Sequence, residues 1–220
     1  MNWPGAELPS HPSPGASGAS GAGDRSPPDP RVAAVIEAVR GHRTADEREV
    51  LSRAIILAEL ARLGRPLDEH ADPTHVTASA LVVGPRGVVL HRHRRLHRWL
   101  QPGGHLEAGE MPSEAALREC VEETGLPVCH PPGGPTLAHL DVHTAARGHV
   151  HLDLRYLVFA PDLRPAPGPG ESQEVAWFSW GEALGIADDA LAGGLESARR
   201  LAGAATVLEP GAPAHQREEP

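Results

Sequence analysis

Six glutamates and one arginine fall within the 23 residues 104–126, GHLEAGEMPSEAALRECVEETGL. The stretch 112–124 reads as a helix, and at about 100° per residue Glu123 and Glu122 lie about 40° and about 60° to either side of Glu119. Leu117, Cys120, Val121 and Thr124 fall on the opposite half, so one face is acid and the other is core. Carboxylates three and four residues apart stand about 5–6 Å from one another and repel unless something positive lies between them. Arg118 answers one of them. The remainder suit a divalent cation, and an all-oxygen set selects a hard ion such as Mg²⁺ or Mn²⁺ over zinc or copper.

Runs of glutamate on helices are more often solvated faces, and the flanking residues weigh against that reading here. Gly103, Gly104 and Gly109 punctuate a loop whose backbone can approach a ligand closely, with Glu110 at its end. Pro112 suits a first helical turn, and Gly125 the residue just past a last one.

Gly104, Glu110, Arg118, Glu119, Cys120, Glu122, Glu123, Gly125 and Leu126 follow the pattern G-x5-E-x7-R-E-U-x-E-E-x-G-U, where U is a bulky apolar residue. At these nine positions the chain resembles the Nudix hydrolases, with Cys120 smaller than the usual aliphatic residue. The resemblance covers residues 75–201. TASALVVGPRGVVLHRHRRLHRWLQPGGHLEAGE looks like the first hairpin and loop, turning at Pro85-Arg86-Gly87; HLDLRYLVFA and EVAWFSWGEAL look like later strands and a short helix. The WLQPGGH wording is similar to that of a bacterial, MutT-like subgroup.

The resemblance implies an α/β/α sandwich with a mixed β-sheet, and a hydrolase that splits a diphosphate, often of a nucleoside diphosphate derivative, with Mg²⁺ or Mn²⁺. Carried over by position, Glu119, Glu122 and Glu123 are metal ligands together with the Gly104 carbonyl, while Glu110 and Arg118 pair to hold the motif in shape. The general base is Glu119 or Glu122, or an acid on a distant loop such as Glu171 or Glu174. Two other readings share the fold. One is an isopentenyl-diphosphate isomerase, suggested by His75 and His105 but lacking the cysteine that enzyme places before its loop histidine. The other is a non-catalytic nucleotide sensor, which tends to lose these glutamates.

The chain has 220 residues and a net charge of −9, which argues against non-specific adhesion to nucleic acid or anionic membrane. All 20 basic side chains are arginine, read as base composition of a GC-rich bacterial genome. Cys120 and Cys129 make neither a disulfide framework nor a zinc knuckle and read as reduced, buried small hydrophobes. With no signal-peptide core and no apolar stretch long enough to span a membrane, a cytoplasmic protein is expected.

Residues 1–30 and 205–220 are poor in bulky apolar side chains and read as disordered. Residues 31–70 read as a helical extension and 71–204 as the catalytic domain. In the extension, Val32, Val35, Ile36 and Val39 form one stripe. Thr44 and Glu47 form a capping box before a second stripe of Val50, Leu51, Ala54, Ile55, Leu57, Leu60 and Ala61. These two helices pack on the catalytic domain, the preferred reading, or build a homodimer interface. A last helix is expected over 188–202.

Fourteen histidines are present. His91, His93, His97 and His105 flank the motif, and His143, His149 and His151 lie downstream. His91/His93 and His149/His151 each alternate onto one strand face, and single histidines there are usually structural. His105, Arg98 and Trp99 are the candidates for binding a small-molecule substrate, with Arg94 and Arg95 near the same mouth. Trp99 or Tyr156 is placed to stack a base.

Overall fold

The computed structural model describes residues 29–207; the disorder expected over 1–30 and 205–220 lies outside the described residues except at Pro30, which opens a helix, and 205–207, which close the last one. Two helices come first, α1 (Pro30–Gly41) and α2 (Glu47–Arg62). The strands β1 (Thr74–Gly84), β2 (Gly87–Arg92), β3 (Trp99–Leu100), β4 (Gly103–His105), β5 (Thr136–Thr144), β6 (Val150–Phe159) and β7 (Val175–Phe178) build one sheet. Its order is β3-β2-β1-β6-β5, with β4 also on β1 and β7 on β2. The β1–β6 pair is parallel and the others antiparallel, so the sheet is mixed. The remaining helices are α3 (Pro112–Thr124), α4 (Trp180–Ile186) and α5 (Asp189–Val207).

Alternation along β1 sends its residues to two different cores, and a central strand covered on both faces is buried throughout. Val76, Ala78, Ala80 and Val82 share one cluster with Val35 and Val39 of α1, Ile56 and Leu60 of α2, and Ala115, Ala116 and Cys120 of α3. On the other face Leu81, Val83, Leu90 and Leu157 pack on Ala183 of α4 and Leu191, Leu195 and Ala198 of α5. The result is an α/β/α sandwich whose helical extension is part of one core. No helix among the described residues is long and apolar enough to cross a membrane.

The extension corrects the sequence reading of α2. Its N-cap is Asp46, whose carboxylate accepts the Glu49 N–H at 2.8 Å, so Thr44 and Glu47 form no cap there. Glu49, Ser52, Ile56 and Leu60 are buried, whereas Val50, Leu51 and Ile55 are exposed. The cause is the Glu49 carboxylate, which accepts the backbone N–H of Ala45 at 2.5 Å and of Leu140 in β5 at 3.0 Å and pairs with His42 Nε2 at 2.6 Å. A buried acid saturated in this way sets a helix's rotation against its apolar stripe.

The α5 side of the sheet is not apolar throughout. Register places three polar rungs across β1, β6 and β5: His75–His151–His143, Thr77–Asp153–Asp141 and Ser79–Arg155–His139. Asp153 accepts from Ser79 Oγ at 2.7 Å, Thr77 Oγ1 at 3.2 Å and Arg155 Nε at 2.9 Å. Asp141 accepts from Arg155 Nη2 at 3.0 Å and Arg48 Nη2 at 2.8 Å, and Arg155 Nη1 donates to the Ala190 carbonyl at 2.6 Å, tying α5 down.

Candidate active site

α3 spans the predicted 112–124, with Pro112 in its first turn and Gly125 ending it at φ 67°. A side chain at Gly125 would strike the Ala166 carbonyl, so glycine is required there on two grounds. The helix is rolled differently from the expectation. Small residues Ala115, Ala116, Cys120 and Thr124 make the buried contact, and Val121, expected in the core, is exposed. This roll turns Glu119 and Glu123 toward β4 instead of away from the sheet. Cys129, also expected to be buried, is exposed, whereas burial pushes the Cys120 thiol up to about 12 and leaves it unreactive.

Arg118 sits among three carboxylates and one carbonyl. Its Nε donates to Glu110 at 2.9 Å, its Nη1 to Glu119 at 2.9 Å and Glu122 at 3.3 Å, and its Nη2 to Glu110 at 3.1 Å and the His105 carbonyl at 2.8 Å. Loop and helix are thereby clamped together. The Gly103 N–H donates to Glu123 at 2.9 Å, and His91 Nδ1 stands 3.5 Å from the same carboxylate. A Cβ on Gly104 would lie 2.5 Å from Glu119 Oε1, so the carboxylate occupies the space this glycine leaves open.

One guanidinium does not neutralise this group. Burial, then the charges of Glu119, Glu171 and Glu122, push the Glu123 carboxyl up to about 8. Burial also raises Glu119 in spite of Arg118, with Glu122 and Glu171 adding to the effect. Glu110 behaves differently: burial raises it, but the Arg118 hydrogen bond, the Glu107 N–H and the Arg118 charge together outweigh that and hold it below the usual range. An oxygen-only cluster whose acids resist ionising together is chemically matched to a hard divalent cation.

Of the residues singled out in the sequence, Gly104, Glu110, Arg118, Glu119, Glu122 and Glu123 come together. His105 adjoins them through its carbonyl, with its ring turned toward His75. Arg98 is ion-paired with Asp188, and Trp99 packs edge-on against Phe178 at 4.9 Å. Tyr156 is buried, and Arg94 donates to the Gly170 carbonyl at 2.7 Å. The two loop acids separate as well. Glu174 is bound to Arg92 at 2.9 Å, whereas Glu171 lies close enough for its charge to raise Glu119 and Glu123. A cleft of about 650 Å³ lies beside the motif loop rather than over the glutamates, lined by Arg31, Val32, Leu67, Glu69, Leu106 and Glu107. Arg31 Nη1 there donates to the Glu110 carbonyl at 3.0 Å. Sequence reasoning missed the buried Asp141, Asp153 and Arg155, although the alternation His151, Asp153, Arg155 along one strand was visible.

The NUDIX domain family model matches residues 73–199, more than half of the chain. The chain belongs to the Nudix family. Solved structures similar to it include a Nudix-family hydrolase from Clostridium perfringens, 29% identical over 61% of this chain and 98% of that one, with a TM-score of 0.49. A C. elegans Ap4A hydrolase is 20% identical over 58% and 98% of the two chains, with a TM-score of 0.49. A MutT Nudix hydrolase from Burkholderia pseudomallei is 24% identical over 56% and 97%, with a TM-score of 0.48. The assignment rests on the family model, which makes the protein a Nudix-type hydrolase; the motif of residues 104–126, or box, lies inside the matched span.

Proposed function

We propose that this Nudix hydrolase is metal-dependent and cleaves the diphosphate linkage of a nucleoside diphosphate derivative or related small molecule in the cytoplasm, as a member of the bacterial subgroup bearing the WLQPGGH loop. One observation carries the reading: Glu119, Glu122 and Glu123 share a flank where, among the described residues, Arg118 is the one arginine bonded to Glu119 and Glu122, and where Glu119 and Glu123 are held above their ordinary pKa. A diphosphate entering such a flank alone would be repelled. The three glutamates and the Gly104 carbonyl would hold Mg²⁺ or Mn²⁺, which when bound would supply Lewis acidity toward phosphoryl oxygens and toward a water.

The protein's own groups do the rest. Arg118 and Glu110 keep box loop and helix in one geometry, so the acids are placed before substrate arrives. The Gly103 N–H and His91 orient Glu123. Glu171, whose charge acts on Glu119 and Glu123, takes the proton from the attacking water, a role for which Glu174, held by Arg92, is badly placed. The test is turnover of a panel of nucleotide diphosphate derivatives with Mg²⁺ or Mn²⁺, compared with Glu122→Gln. The variant should fold normally and lose roughly 100- to 1,000-fold in kcat. Near-normal rates in the variant, or no release of phosphate or monophosphate from any substrate, would refute the proposal. Isopentenyl diphosphate belongs in the panel, since formation of its dimethylallyl isomer would favour the isomerase.

A further inference from the structure

β4 carries two neighbours that point in opposite directions. Gly104 faces Glu119, so His105, one residue along a strand, faces the other side of the sheet. There it meets His75 of β1 and His151 of β6, with ring centroids 5.1 Å from each and 5.2 Å between those two. One ligand nitrogen from each of the three rings lies within 4.8 Å of the others. His149 and His143 stand at the margin, their rings 5.3 Å from His75 and His151 respectively.

We propose that His75, His105 and His151 form a second metal site, built for Zn²⁺ or a neighbouring borderline transition ion and chemically distinct from the glutamate cluster. The hydrogen bonds already fix the tautomers such a site needs. His75 Nδ1 is 3.0 Å from the Asp72 carbonyl, which can only accept, so Nδ1 carries the proton and Nε2 presents a lone pair. His105 Nδ1 is paired with Glu69 at 3.2 Å, which leaves its Nε2 in the same state. Both Nε2 atoms are buried and have no hydrogen-bond partner. Orphaned buried nitrogens are costly unless something binds them. An imidazole whose far nitrogen donates to a carboxylate or carbonyl is the usual arrangement of a metal-bound histidine.

His151 completes the set from β6, directly beside its register partner His75 on β1. Zinc–nitrogen bonds of about 2.0–2.1 Å require the three nitrogens to draw in by roughly 1.5 Å from their upper separation, a matter of ring rotation. Three imidazoles and a water complete a tetrahedron. Nitrogen donors favour zinc and its neighbours over Mg²⁺, whereas the box oxygens suit Mg²⁺ or Mn²⁺, so with Mg²⁺ in excess the two sites take different ions. An ion here would also staple β1, β4 and β6 together directly behind Gly104.

The experiment uses the untagged full chain, stripped with chelator and held in excess Mg²⁺, and titrates Zn²⁺ by competition with a chromophoric chelator. One equivalent should bind, Co²⁺ in its place should give the intense visible bands of a tetrahedral complex, and Zn²⁺ should raise the Tm. His151→Gln should weaken Zn²⁺ by more than the roughly 10- to 100-fold expected from Glu69→Gln, which removes only an orienting partner. Glu69 lies near the surface, so that variant reads binding even if His151→Gln folds poorly. Glu122→Gln should leave Zn²⁺ affinity within about threefold. Unchanged affinity in both the Glu69 and His151 variants, an octahedral Co²⁺ spectrum, or loss of Zn²⁺ in Glu122→Gln would overturn the proposal.

Discussion

Two groups of buried acids face opposite sides of the same sheet, and their carboxyl groups are shifted in opposite directions. On the α3 side, burial raises Glu119 and Glu123 and one arginine fails to compensate. On the α5 side burial is deeper and pushes the same way. Yet hydrogen bonds from His143, Arg155 and Arg48 bring Asp141 well below its ordinary value, and Arg155 with Ser79 does so for Asp153. Burial therefore does not decide the sign; the supply of counter-charge does. Acids that the fold neutralises from within are part of its architecture, while acids left uncompensated are where a ligand's charge is required.

Replacing Arg155 with Met should expose that division most sharply, because two buried carboxylates would lose their shared guanidinium. A loss of about 3–5 kcal/mol in denaturant unfolding is expected, and a loss under about 1 kcal/mol would break the contrast. Acidification comes next. Depressed carboxyl pKa values give stability that is fully present above the ordinary values of 3.8 and 4.5 and is lost as pH falls through the lower folded ones. Unfolding midpoints should therefore drop steeply below about pH 4, and Asp141→Asn should flatten that drop.

Smaller, and opposite in sign, is Glu123→Gln. Removing a like charge from the uncompensated cluster should leave metal-free protein as stable or more so, by on the order of 1 kcal/mol, even as turnover collapses. Gly104→Ala should be nearly silent in stability, within about 0.5 kcal/mol, because the atom in its way is the movable end of Glu119. Displacing that carboxylate should still cost about tenfold in kcat, or about 1.4 kcal/mol. A large stability loss without a rate effect would reverse the roles assigned to the two faces.

The motif spacing and the two ends of α3 were legible because glycine, proline and the spacing of charges act locally. The β1–β2 hairpin at Pro85-Arg86 and the strand within HLDLRYLVFA were legible for the same reason. Global placements were not. The phase of α2 is set by Glu49 reaching Leu140, 91 residues away, and no hydrophobic periodicity reports a satisfied buried acid. The roll of α3 follows from Ala115 and Ala116 fitting against β1, which put Val121 outside. Asp153 and Arg155 look like a wet strand face until α5 covers them. His75, His105 and His151 come from three strands whose register cannot be read along the chain.

The shared core of α1, α2 and α3 carries one more implication. The family's common portion begins near residue 73, yet Ile56 and Leu60 lie in the same cluster as Leu140 and Leu152. A chain trimmed to the matched span would bare those leucines, and Arg31 could no longer reach the Glu110 carbonyl. The stretch that closes this core is longer here than the span the family model matches.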